Sequence, residues 1–236
     1  MLNHPTVVLF DVDSTLLTTG GAGRRALCRT FDRHYRRPDA FEGVVFAGRT
    51  DPSLFTEALT TLGLDASPAL LEALYTAYLG FLTEEVAHTP NYHIMPGIHE
   101  LLPQLVTFGG DRLALGLGTG NMERGARIKL ERGKLNHWFG FGGFGSDHRE
   151  RSELIRAGAI RGAAHLGLAL DQCRVVVVGD TPLDVQAAHA VGATCVAVAT
   201  GRYDRATLAA AGAEHTLEDL TAPEVASLIL ARDSAQ

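Results

Sequence analysis

The first residues of this chain that could do chemistry are two carboxylates placed just behind an apolar run. Val7-Val8-Leu9-Phe10 leads directly into Asp11-Val12-Asp13-Ser14-Thr15-Leu16. Residues 7–10 have the length and β-branched content of a buried strand, and a strand apolar on both faces belongs in a parallel sheet covered by helices. Asp11 and Asp13 would then stand at the carboxyl end, where such sheets place ligands, and in extended chain they share a side. Like charges that close call for a cation. The plainer alternative is that Asp11 opens a turn and Asp13 caps a helix. Two more apolar runs end in the same manner. Residues 113–117 lead into Gly118-Thr119-Gly120-Asn121, and residues 174–178 into Gly179-Asp180-Thr181-Pro182-Leu183-Asp184. Gathered on one sheet edge, Asp11, Asp13, Asp180 and Asp184 make an all-oxygen site suited to Mg²⁺. The Thr119 hydroxyl, the glycine-framed N–H groups beside it and the next helix N-terminus suit phosphate oxygens.

The elements that must position these groups follow from periodicity. From about residue 96 onward, helical stripes alternate with short apolar strands at 113–117, 139–144, 174–178 and 194–198, with helices near 122–132, 151–165, 185–191, 204–211 and 218–230. That is a βαβ series, which implies a mainly parallel sheet with right-handed crossovers. The first strand must join it. Residues 18–92 read differently, as helices without a convincing strand. One helix carries Ala26, Leu27 and Phe31, a second follows the N-cap expected at Asp51 with Pro52 first inside, and a third starts at Ser67-Pro68. The expected architecture is therefore an α/β core from residues 1–17 and 93–236, with a helical domain of residues 18–92 inserted beside the two carboxylates, where it could serve as a lid.

Bulk properties exclude several classes. With 46% apolar and 20% charged residues in 236, the chain can bury a substantial core. A net charge of −6 argues against nucleic acid or an anionic membrane as partner. No apolar stretch approaches the roughly 20 residues of a membrane span, and the N-terminus has no basic region followed by a long apolar run. The three cysteines are far apart and fit free thiols in a reducing compartment, so a cytoplasmic location is expected. The chain has only two lysines, Lys129 and Lys134.

Taken together, these motifs resemble the haloacid dehalogenase superfamily, in its phosphatase branch with a helical cap inserted after the first motif. Asp11-Val12-Asp13-Ser14-Thr15-Leu16 is similar to the first motif, Thr119 to the second, and Gly179-Asp180-Thr181-Pro182-Leu183-Asp184 to the fourth. Order, spacing and cap position agree over nearly the whole chain. The resemblance implies a Rossmann-like core, with Asp11 as nucleophile, Asp13 as general acid and base, and Mg²⁺ held by Asp11, the Asp13 carbonyl, Asp180 and Asp184. It implies that Thr119, Gly120 and Asn121 hold the phosphoryl group. The departure is the third motif, normally a lysine before the penultimate crossover helix. Lys129 and Lys134 lie too early in the chain, which leaves Arg151, with Arg149 second, to supply that charge.

The resemblance also narrows the reaction. A second carboxylate at Asp13 favours phosphoryl chemistry over carbon–halogen cleavage. Phosphonate cleavage in relatives uses a cap lysine, and residues 16–95 contain none. The expected activity is a Mg²⁺-dependent phosphatase acting on a small phosphorylated metabolite, resembling phosphoglycolate phosphatase, in a monomer or homodimer. A sugar-phosphate mutase and a non-catalytic phosphate-binding regulator are the alternatives. Arg49 and Thr50, in the turn before the second helix, are expected to contact the substrate. Gly116-Leu117-Gly118-Thr119-Gly120-Asn121 misplaces the third glycine of a dinucleotide loop, and the ten histidines lack ligand spacing.

Overall fold

Five buried residues, Thr6–Phe10, form strand β1, and alternate side chains enter opposite layers. Val8 and Phe10 join one apolar cluster, Val7 and Leu9 another, as the two-residue period of a strand requires. The computed structural model describes residues 4–230, so the ends of the expected core segments, 1–3 and 231–236, lie outside the described residues. After β1 come β2 (Leu17–Thr18), α1 (Ala22–Tyr35), α2 (Asp51–Thr61), α3 (Pro68–His88) and β3 (His93–Ile94). The chain continues through α4 (Ile98–Gly109), β4 (Leu113–Thr119), α5 (Glu123–Arg132), β5 (Gly142–Phe144), α6 (Arg151–His165) and β6 (Arg174–Gly179). It closes with α7 (Pro182–Ala190), β7 (Thr194–Val198), α8 (Arg205–Ala210), β8 (His215–Leu217) and α9 (Val225–Leu230).

Six strands form one sheet in the order β5-β4-β1-β6-β7-β8, and every pairing in it is parallel. Leu101, Leu102 and Leu105 of α4, Leu130 of α5 and Ile229 of α9 cover one face. Leu154 and Ile155 of α6, Val185 of α7 and Leu208 of α8 cover the other. This is a three-layer α/β architecture of the Rossmann-like kind. A fully buried aliphatic or aromatic side chain contributes roughly 1.5–3 kcal/mol. The completely buried β1 is thus the strand the core can least lose.

Helices α1, α2 and α3 have an apolar cluster of their own, built on Phe31, Phe55, Leu74, Tyr78 and Leu82. Arg25 and Arg29 of α1 reach Glu85 and Glu84 of α3, with closest approaches of 2.6 Å. The connections into and out of this helical unit pair with each other, since β2 and β3 are antiparallel with Leu17 opposite Ile94 and Thr18 opposite His93. The boundary expected at residue 18 therefore falls inside a strand.

Three local expectations differ from the structure. The N-cap of α2 is Thr50, whose hydroxyl accepts from the Ser53 N–H, because the Asp51 carboxylate is drawn to another helix. The last described helix, Val225–Leu230, begins at Val225 and not at 218, and β8 occupies the sheet edge before it, a half-exposed strand too short for alternation to show. Finally, α7 begins at Pro182, earlier than the expected 185, because Thr181 and Asp184 form a reciprocal capping box.

Candidate active site

Strand β1 lies where the chain changes direction across the sheet, with β4 on one side and β6 on the other. Such a switch point opens a crevice at the carboxyl ends of the strands. Phe10 is level with Leu117 and with Val178, so the residues that follow emerge side by side. Asp11 stays tied to the sheet, its N–H donating to the Val178 carbonyl at 2.9 Å. Just beyond, Ser14 takes a left-handed backbone (φ 61°), and its N–H returns to the Leu17 carbonyl. A serine there is unfavourable and persists because its surroundings hold it, a pattern common at sites. Here Thr200 donates its hydroxyl to the Ser14 carbonyl.

The sheet edge brings Asp11, Asp180 and Asp184 together, with one carboxylate oxygen of each lying within 4.8 Å of the others. All three are buried. Burial pushes the Asp11 carboxyl up to about 6, against the Arg151 guanidinium, and the Asp184 and Asp13 charges add to the rise. Burial and the same neighbours lift Asp180 well above the usual carboxylate range. Arg151, the first residue of α6, faces this cluster. Its Nη2 lies 3.0 Å from Asp11 and 2.5 Å from Asp184, and its Nη1 donates to the Gly48 carbonyl at 3.1 Å. The second oxygen of Asp184 accepts from the Thr181 N–H and hydroxyl. Arg149 is not in the cluster; its carbonyl accepts from Thr50. Three buried carboxylates against one guanidinium leave an excess of negative charge in an all-oxygen set, which is the donor chemistry that Mg²⁺ takes. The residues present therefore fit the metal that the motifs imply.

Asp13 faces away from that cluster. Both of its oxygens lie on the Lys129 ammonium, at 2.9 and 2.6 Å, and Asn121 Nδ2 donates to it at 2.8 Å. Lys129 Nζ also donates to Asn121 Oδ1 at 2.6 Å. Lys129, read from the sequence only as lying too early for the third motif, meets the site through Asp13, a contact the sequence reading missed. Sequence distance misled, because two turns of α5 carry the side chain back over the strand ends. A signal was present: Lys129 stands on the buried stripe with Gly125, Ala126 and Leu130. Burial works against its charge, yet the Asp13 and Asp51 carboxylates hold its pKa above the ordinary value. It is therefore no neutral amine nucleophile. Lys134 is exposed beyond the helix end.

The helical unit roofs a cavity of about 310 Å³ whose floor is Asp11, Asp13, Thr119, Gly120, Asn121 and Asp180. Leu27, Phe46, Leu54 and Tyr78 line the roof with Arg24 and Arg49. Arg24 is tied to the Phe41 and Val44 carbonyls, and Arg49 to Glu57 at 2.6 Å. Thr50, expected to touch the substrate, does not line this cavity, because its hydroxyl caps α2 and donates to the Arg149 carbonyl. Residues 48–52 are pressed onto the floor. The Asp51 N–H donates to the Gly120 carbonyl at 2.8 Å, and the Asp51 carboxylate accepts from the Met122 N–H at the start of α5 at 2.9 Å. A Cβ at Gly120 would stand 2.3 Å from the Arg49 carbonyl oxygen, so only glycine permits this approach. Burial raises the Asp51 carboxyl to about 6, although Lys129 and the Met122 N–H act to lower it.

Comparison with known proteins supplies the family. The sequence model of haloacid dehalogenase-like hydrolases matches residues 8–189, and a model described as HAD-hydrolase-like matches residues 157–223. Among solved structures, a hydrolase from Pseudomonas syringae has a TM-score of 0.66 at 22% identity, covering 98% of this chain and 100% of its own. CbbY from Rhodobacter sphaeroides, solved in complex with phosphate, has a TM-score of 0.68 at 18% identity, covering 94% and 96%. A candidate β-phosphoglucomutase from Bacteroides vulgatus has a TM-score of 0.62 at 23% identity, covering 97% and 89%. At these identities the likeness is one of fold. No curated protein sequence matches the chain.

Proposed function

The chain belongs to the haloacid dehalogenase-like hydrolases, and from that premise we propose that it is a Mg²⁺-dependent phosphatase of small phosphomonoesters that works through an aspartyl-phosphate. The observation that carries this reading is the buried trio Asp11, Asp180 and Asp184 at the strand ends, with Arg151 on two of its members and Asp13 beside it on a separate cation. Two carboxylates in unlike surroundings suit unlike roles. Asp11, fixed on the sheet, attacks phosphorus, while Asp13 protonates the leaving oxygen. In the second half, Asp13 takes a proton from the water that attacks the phosphoryl group, and Asp11 is released as a carboxylate. Thr119 and the N–H groups of Gly120 and Asn121 receive phosphoryl oxygens, where charge gathers in the transition state.

Mg²⁺, held by Asp11, the Asp13 carbonyl and Asp180 with Asp184 completing the set, would supply positive charge to the phosphoryl oxygens. Arg151 stands where the family places a lysine, and its guanidinium orients Asp11 and Asp184 while adding a fixed positive charge. That placement weakens the case for a non-catalytic scaffold, which rested on the missing lysine. Helices α1–α3 act as a cap that excludes water and selects the substrate. A cavity of about 310 Å³ with aromatic and arginine side chains in its roof fits a small anionic ester.

The test is turnover of p-nitrophenyl phosphate with Mg²⁺, alongside a panel of phosphorylated metabolites that includes phosphoglycolate and hexose phosphates. Release of inorganic phosphate, abolished by Asp11→Asn, is expected. Isomerised sugar phosphate without net release would make the protein a mutase. A wild type no faster than Asp11→Asn would make it no phosphatase.

A further inference from the structure

The mechanism above leaves one buried cation without work. Lys129 is 4% exposed, and its three N–H donors have three acceptors: both oxygens of Asp13 and Asn121 Oδ1. Asn121 closes the ring by donating to Asp13 and to the Thr119 hydroxyl, both at 2.8 Å. Burying an ammonium costs several kcal/mol, and a buried ion pair is weak evidence of stabilisation. Asp13 itself is far from buried, with 44% of its side chain exposed on the cavity side. The carboxylate is gripped from behind and open in front.

We propose that Lys129, together with Asn121, is the positioning residue for Asp13. It aims the carboxyl at the leaving oxygen and stabilises the carboxylate that each proton delivery leaves behind. The proposal rests on the phosphatase reading. As the bond from Asp11 to phosphorus forms and the ester O–P bond breaks, the Asp13 proton goes to the departing oxygen. When water later cleaves the aspartyl-phosphate, its proton returns to Asp13. Lys129 keeps its protons throughout and touches no reacting atom.

This role makes a prediction that a merely structural lysine does not. The specificity constant reports the first phosphoryl transfer, and only a poor leaving group needs a proton there. Lys129→Met is expected to lower kcat/KM for glycerol 2-phosphate by about 10²-fold or more, within the range of general acid catalysis, and for p-nitrophenyl phosphate by less than about tenfold. Adding it to Asp13→Asn should cost little more, since the two act as one unit. Equal losses on both esters, or losses that multiply in the double variant, overturn the proposal while leaving the phosphatase reading intact. A wild type inert on both esters overturns that reading, and this one with it. If thermal melting shows that Lys129→Met does not fold, Lys129→Arg keeps the charge at a different reach. A loss confined to the alkyl ester supports the proposal, and a uniform loss or none overturns it.

Discussion

The floor and the roof of the cavity are built by opposite rules. The floor sits on three adjacent strands whose register sets its side chains close to one another, and two of its carboxylates are paired, Asp11 with Arg151 and Asp13 with Lys129. The roof comes from helices joined to the core by two chain crossings, and its side chains are mixed: Leu27, Phe46 and Tyr78 with Arg24 and Arg49. Rigid strand ends hold geometry to the precision that bond making needs, whereas a helical unit with its own core can vary its lining without disturbing the chemistry. On the proposed phosphatase reading this is a division of labour, with rate set on the floor and selection in the roof.

The sharpest way to break this comparison is at the floor. Asp13→Asn should lower turnover of an alkyl phosphate by about 10²–10⁴-fold, and a loss under about threefold in steady-state assays would remove it from its role. Asp180→Asn should cost on the order of 10²–10³-fold, with the residual rate no longer responding to added Mg²⁺. An unchanged Mg²⁺ titration would take Asp180 out of the metal site.

A smaller effect tests the seam between floor and roof. The folded pKa of Asp51 lies at about 6, above its ordinary 3.8, so the folded state holds the proton more tightly than the unfolded chain. Its contribution is full below about pH 3.8 and is lost as pH rises through about 6. Asp51→Asn has no such loss, so the stability of the variant relative to wild type should grow by about 2 kcal/mol between pH 4 and pH 7. Denaturant melts at the two pH values check it, and a constant difference would show that Asp51 is not buried as a charge. The smallest effect belongs to the roof. Arg49→Ala should raise KM by up to about tenfold with kcat nearly unchanged, and an equal fall in kcat would move Arg49 into the chemistry.

The sequence by itself determined the sheet and the order of its main parts. Apolar runs ending in Asp11, Thr119 and Asp180 are strands whose local pattern survives in the fold, and a parallel sheet has only one edge for residues that follow its strands. Arg151 could be named because it opens a helix next in line. Three things needed the tertiary structure, because each depends on a contact between residues distant in sequence. Lys129 reaches Asp13 across 116 positions, and only the packing of α5 under the helical unit makes its buried stripe point at the site. Thr50 turned from a substrate contact into a helix cap once Asp51 was drawn to the Met122 N–H, 71 positions away. Strand β8 exists because the edge of β7 offers unpaired backbone groups, not because His215-Thr216-Leu217 reads as a strand. Local pattern states what a segment can form; which of its side chains meet is decided when helices close over the strands and burial favours paired polar groups.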